Sequence, residues 1–270
     1  MDDFYKTLIN SAAYEDIADF KILFKEDFKN LIKTGQLLQK NSIIYCKTDF
    51  TIMLFEYLKF SGRKYVLITH HSDYSIDQQW FNLKPSCIKK WYAINTAYKH
   101  PDLITIPAGI WTSEGRAYYQ DYHKIKWFKE NKERLFNKEK SISRVYCNWG
   151  DTNPERKNVI KKLKVPYLHQ SGLSFKTYCE QMSEYKFVIS PNGNGLDNHR
   201  TWEALYLGCI PIVINHYIYD GYPDLPIIRV NDYSELTQKM LNESLEKTYT
   251  YNKMYSEYWE KTIKEEFNKL

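Results

Sequence analysis

No Cys-x-x-Cys pair occurs in this chain, and its five cysteines stand far apart, at positions 46, 87, 147, 179 and 209. Zinc binding and a disulfide framework are therefore not expected; buried free thiols in a reducing compartment are. No apolar run approaches the roughly 18 residues that a membrane span needs. The acidic start MDDFYKTL lacks an apolar signal core. A cytoplasmic protein without an integral membrane segment is the expectation. Glycine and proline are few, 10 and 9 in 270 residues, and no repeat or low-complexity tract interrupts a globular composition. There is no arginine-rich stripe. The net charge of +5 comes from scattered lysines and arginines, which suits an anionic small ligand and disfavours a dedicated nucleic-acid binder. What the chain has in excess is aromatic, with 24 Tyr and 7 Trp. Such residues stack on bases or sugars, but mostly they fill cores.

Hydrophobic spacing orders the chain into alternating strands and helices. Apolar residues at 13, 17, 20, 24, 28 and 31 step by three and four and predict one amphipathic helix over 13–32. Residues 43–46 read as a buried strand. Thr48 or Asp49 is placed to cap the next helix, whose apolar face is Phe50, Met53, Leu54, Tyr57 and Leu58. Strands over 65–69, 91–94 and 103–106 follow, then a helix or extended connector over 118–137. A second array has strands at 144–147, 165–167, 187–189, 210–214 and 225–230. Its helices begin at 152–155, with Pro154 in the first helical position, and cover 174–184, 201–207, 234–245 and 251–267. Alternation of this kind predicts parallel sheets. The expected fold is α/β, with two Rossmann-like domains facing a central cleft. They span 1–138 and 139–270 and part at the charged run 138–140, with the last helix packing back on the first domain.

One segment concentrates the chemistry: FVISPNGNGLDNHRTWEALYLGCIPIVI, residues 187–214. It reads strand, glycine loop, helix, strand, and α/β proteins bind phosphates where such a loop meets a helix N-terminus. Gly193 and Gly195 can adopt positive φ and aim amides at an anion; equally, Asn-Gly-Asn-Gly is a tight turn. His199 and Arg200 stand at the helix start, where a cation opposes the helix dipole unless an anion visits. Arg200 offers a forked guanidinium suited to a diphosphate. Glu203, one turn on, is either a surface or Arg200-paired carboxylate or an acceptor for vicinal hydroxyls such as those of a ribose.

The run SPNGNGLDNHRTWEALYLGCIPIV resembles the nucleotide-sugar-binding segment of exostosin-like glycosyltransferases, two-domain enzymes of the GT-B architecture. VYCNWGDTNPERKNVI and KKWYAINTAYKHPDLITIPAGI are similar to flanking parts of the same fold, so the likeness covers roughly a third of the chain. Short, anchor-free relatives encoded by large DNA viruses that glycosylate their capsids are of similar size. The resemblance implies a glycosyltransferase that moves a sugar from a UDP-sugar to a glycan acceptor. UDP-xylose is the favoured donor, ahead of UDP-glucuronate, UDP-galactose and GDP-fucose. It implies diphosphate binding by Arg200, ribose binding by Glu203, and a donor loop of Gly193, Asn194, Gly195, Asp197 and His199. Asn148 and Arg156 are carried over as donor-facing residues.

An inverting transfer needs a general base for the acceptor hydroxyl. The strand ending at Thr69 delivers His70, His71, Ser72 and Asp73 to the carboxyl edge of the first sheet. Asp73 is the first choice, then His71 and His70, with Asp49 a fourth. No Asp-x-Asp motif exists, since Asp73 and Asp77 lie four apart, so neither a metal nor another cofactor is expected. Trp111 and Trp149 sit at strand-end loops, where they either stack on a ligand or pack locally. Two rivals stay open. A dinucleotide oxidoreductase needs a third glycine that GNGLDN lacks, and a non-catalytic sugar, nucleotide or RNA module needs only the aromatic excess and mild basicity.

Overall fold

The computed structural model describes residues 8–111, 118–150 and 152–270. Contacts divide the chain into two units. One holds the described residues up to 120 together with Tyr255–Leu270, and the other holds Asp121–Met254.

The first unit runs through α1 (Ser11–Glu15), β1 (Phe20–Ile22), α2 (Lys25–Thr34), β2 (Ser42–Lys47), α3 (Thr51–Leu58), β3 (Tyr65–His70), α4 (Gln78–Asn82), β4 (Ile88–Ala93) and β5 (Leu103–Thr105). Its strands form one parallel sheet in sequence order, β1-β2-β3-β4-β5. β2 and β3 are continuous apolar runs buried on both faces, as central strands of a covered parallel sheet must be.

Here the expected helix over 13–32 is broken in three. Phe20–Ile22 pairs in parallel with Ile44–Cys46. Asp19 accepts a hydrogen bond from the Ile43 amide at 2.9 Å, and Asp27 accepts from the amides of Leu23 and Phe24. Apolar spacing of three and four fits one helix or two short ones around a strand, and the open edge of β2 decides for the latter. Neither Thr48 nor Asp49 caps α3. They lie in a 3₁₀ turn, and Thr48 donates to the His70 carbonyl instead. The buried face of α3 is Thr51, Leu54, Phe55 and Leu58, with Met53 turned outward.

The second unit continues with α5 (Tyr118–Phe136), β6 (Ser141–Asn148), α6 (Arg156–Lys162), β7 (Tyr167–Gln170), α7 (Phe175–Met182), β8 (Tyr185–Ile189), α8 (His199–Tyr206), β9 (Ile210–Ile214), β10 (Ile228–Val230) and α9 (Gln238–Leu245). Its parallel sheet has the order β10-β9-β8-β6-β7. Pro154 does not start α6. Asn153 turns the chain there, accepting from the Glu155 amide, and the helix begins at Arg156. The strand expected at 165–167 begins two residues later, at Tyr167, and β10 is the last part of the 225–230 run. α10 (Ser256–Phe267) belongs to the first unit, where it contacts β3 and α1 and buries Trp259 and Ile263.

Most of the largest aromatics are core residues, among them Trp91, Trp202, Tyr45, Tyr146 and Tyr206. All five cysteines are buried free thiols. Among the described residues no helix is long and apolar enough to cross a membrane.

The motif helix ends at Gly208. Its amide bonds to the Leu205 carbonyl and that of Cys209 to Ala204, the paired closure of a Schellman motif. Gly208 takes φ 73°, and a Cβ there would stand 2.5 Å from the Phe136 carbonyl oxygen. Gly208→Ala is expected to cost about 2–4 kcal/mol, the left-handed penalty plus overpacking. A calorimetric unfolding temperature equal to wild type would show that Phe136 yields.

Candidate functional site

In the second sheet the chain passes from β6 outward to β7, then returns beyond β6 to β8, β9 and β10. The winding direction reverses between β6 and β8. At such a reversal the two connections leave on opposite faces, and a crevice opens at the carboxyl ends of the strands. Two loops border it: one after β6, described at 149–150 and 152–155, and 190–198 after β8.

The second loop is the glycine loop, and it is not shaped by glycine φ angles. Gly193 lacks a positive φ, and a Cβ there would meet Arg156 at an ordinary 3.5 Å. Arg156 shapes it. Only 6% exposed, it donates from Nε to the Asn192 carbonyl (2.8 Å) and from Nη2 to Pro191. Nη1 donates to the Gly150 carbonyl and the Thr152 hydroxyl. Asn153 adds a 2.7 Å bond to the Gly193 carbonyl. Arg156 therefore ties the two loops together, a holding role that the expectation of a donor-facing residue missed.

Asp197 is likewise committed to the protein. Its carboxylate accepts both Trp202 Nε1 (2.9 and 3.0 Å) and the Asn198 amide, fixing the loop against α8. Asn198 caps α8 by accepting from the Thr201 amide and from Ser190. Asn194 is exposed on the loop, Gly195 is buried, and His199 is the first residue of the helix.

Arg200 and Glu203 behave otherwise. No ion pair joins them. The Arg200 guanidinium lies 6.0 Å from the centroid of the Tyr178 ring, and its buried Nε has no hydrogen-bond partner. A cation at a helix N-terminus with an unfilled donor is a costly arrangement without an anion. Glu203 is 9% exposed, so a surface role is out. One of its oxygens accepts the Tyr178 hydroxyl at 3.0 Å. Burial pushes its carboxyl up, while Arg200 and Tyr178 hold it down. Tyr233, 3% exposed, has a buried hydroxyl that also lacks a partner, and its phenol is raised by burial and lowered by Arg200.

Two cavities flank this constellation. One of about 570 Å³ is lined by Lys124, Asn148, Trp149, His169, Phe175 and Tyr178 among others. Trp149 is buried with its ring 5.5 Å from that of His169, and Lys124 lies over Phe175. Asn148 is buried and donates to the Tyr146 hydroxyl, leaving its amide oxygen for the cavity. The other, about 310 Å³, is lined by Pro191, Asn192, Ile214, Asp232 and Tyr233 with parts of α6. Of these walls the sequence had offered Asn148, Trp149 and Arg156; Tyr178 lay beyond it. Nothing in the run around Tyr178 marks it until α7 is packed beside α8.

The base candidates stand on the first unit. His70 ends β3, buried, its Nδ1 accepting the His71 amide at 2.9 Å. His71 takes φ 60°, in the left-handed region, and its side chain is 9% exposed. Its Nε2 has no hydrogen bond and lies 3.9 Å from Glu15. Burial, then the Lys47 charge, lower the imidazole to about 4, so it is neutral at pH 7. Asp73 is exposed on the loop beyond, and Asp49 pairs with Lys47 at 3.9 Å. Asn95, also left-handed at φ 53°, donates to the Ser72 carbonyl and pins this loop. Trp111 is exposed after β5. Among the described residues no cluster of three or more His, Cys, Asp or Glu is disposed to hold a metal ion. No protein-family model matches the chain, and no curated protein matches it in sequence.

Proposed function

We propose that the chain is a glycosyltransferase of GT-B type that moves a sugar, xylose foremost, from a UDP-sugar to a glycan hydroxyl with inversion and without a metal. The carrying observation is Arg200. A permanent cation stands at the N-terminus of α8 beside the sheet's winding reversal, its Nε buried and unpartnered. An anion such as a diphosphate supplies what that donor lacks. Glu203, one turn along α8, has an oxygen free of hydrogen bonds for a ribose hydroxyl. The larger cavity has the aromatic and cationic walls that a nucleotide favours.

In the reaction a base takes the acceptor proton while that oxygen bonds to the anomeric carbon. The bond from that carbon to the diphosphate breaks, and its electron pair leaves with the diphosphate. Arg200, the loop amides and the α8 N-terminus meet the developing charge.

Thermal shift against UDP, GDP, NAD and a short RNA tests the reading first. UDP at 100 times its Kd should stabilise the protein by about 2.7 kcal/mol. Stabilisation by NAD alone or by RNA alone would sink it. A donor-hydrolysis screen should then find UDP-xylose turned over equally with and without chelator. Loss on chelation, restored by manganese, would refute the metal-free part.

A further inference from the structure

Arg200 and Glu203 stand one turn apart on the same face of α8, where opposite charges ordinarily pair. Here they do not, although Arg200 is near enough to help hold the Glu203 carboxyl down. A pair formed there, largely out of water, would spend each group on the other and close the site to an anion. Tyr178, on α7, engages both groups instead. The guanidinium carbon of Arg200 lies 6.0 Å from the centroid of its ring, within cation–π range. Its hydroxyl donates to Glu203 Oε2 at 3.0 Å. Burial first, then the Glu203 charge, keep the phenol well above its usual range, so it stays protonated and remains a donor. One carboxylate oxygen is thus directed onto Tyr178, and Arg200 Nε stays unfilled. Tyr178 is braced within the same unit. Ser174 caps α7 by accepting from the Thr177 amide. Phe175 packs edge-on against Trp127 and Phe128 of α5, and Phe128 meets Tyr206 of α8, so α5 fixes the spacing of α7 and α8. The Tyr178 ring is half-buried and lines the larger cavity, so the three side chains stand beside the space a ligand would fill.

We propose that Tyr178 is a spacer that keeps Arg200 and Glu203 from pairing, so that the guanidinium stays open to the diphosphate, and the carboxylate to a ribose hydroxyl, of one ribonucleoside diphosphate. The inference rests on the transferase reading above, with Arg200 as its diphosphate site. Tyr178 is then a positioning residue. It supplies neither the charge nor the acceptor, but without it the two groups neutralise each other along α8.

Inorganic diphosphate is the probe, because it needs Arg200 and not the ribose contact. In titration calorimetry Tyr178→Leu should bind it about 10-fold more weakly than wild type, since Glu203 then reaches Arg200. Tyr178→Phe, which keeps the ring and loses only the hydroxyl, should fall in between and guards against a packing defect. Glu203→Gln added to Tyr178→Leu removes the competing charge. It should recover most of the lost affinity, a larger gain than the same substitution gives in the wild type. A merely structural Tyr178 gives no such difference between the two backgrounds. Three results would each overturn the spacer alone: wild-type diphosphate affinity in both Tyr178 variants, an equal effect of Glu203→Gln in the two backgrounds, or a wild type that binds UDP but not inorganic diphosphate. A wild type that binds neither would overturn the spacer and the transferase reading together.

Discussion

Arg200→Ala should weaken UDP binding by about 30- to 1,000-fold, or about 2–4 kcal/mol, the usual cost of removing a buried charged partner. The fold should not suffer. In the free protein Arg200 makes no ion pair, its Nε is unfilled, and it lies at the positive end of α8, where deleting a cation is worth a few tenths to about 1 kcal/mol in favour of the helix. The expected signature is lower affinity with an equal or higher unfolding temperature. Arg200→Lys keeps the charge but loses the fork, so it should fall between. Titration calorimetry with UDP reads the first quantity and scanning calorimetry the second. Unchanged affinity for UDP would remove Arg200 from the site.

Arg156→Ala should show the reverse pattern. Its guanidinium satisfies the carbonyls of Gly150, Pro191 and Asn192 and the Thr152 hydroxyl, almost wholly out of water. Removing it leaves buried acceptors unpaired, at about 3–5 kcal/mol. That is a fall of about 6–12 °C or more in the unfolding transition of the second unit. Lysine cannot span four acceptors from one ammonium, so Arg156→Lys should recover little. UDP binding should be lost in Arg156→Ala only as the glycine loop loosens, and saturating UDP should recover part of the unfolding temperature. A variant as stable as wild type would mean that the loops after β6 and β8 hold without this clamp.

The two arginines show how far a sequence reads. Both are basic residues in a loop-and-helix context, and both were expected on the donor. Arg200 declares itself locally, because a cation at a helix start opposes the dipole whatever the rest of the chain does. Arg156 does not, since its partners lie up to 36 residues away and appear only when β6 and β8 are neighbours. Asp197 is the same case, a carboxylate whose bond from Trp202 appears only once the loop is laid against α8.

What the sequence determined by itself is therefore the part written in short-range spacing. The strand, loop, helix and strand of 187–214 emerge as β8, α8 and β9, with Asn198 as cap and Gly208 as stop. Parallel strands follow from apolar runs too uniform to face water, and Arg200 stands out by its conflict with the dipole. The tertiary structure alone decided strand order, and with it where the crevice opens. It decided that Phe20–Ile22 is a strand, because a sheet edge offers hydrogen bonds that periodicity does not record. It also showed that Arg156 and Asp197 hold the loops, whereas Arg200 Nε and the Tyr233 hydroxyl have no hydrogen-bond partner. The reason is the same throughout: a helix or turn is satisfied by neighbours a few residues away, whereas a buried charge is satisfied only by whatever the fold brings to it.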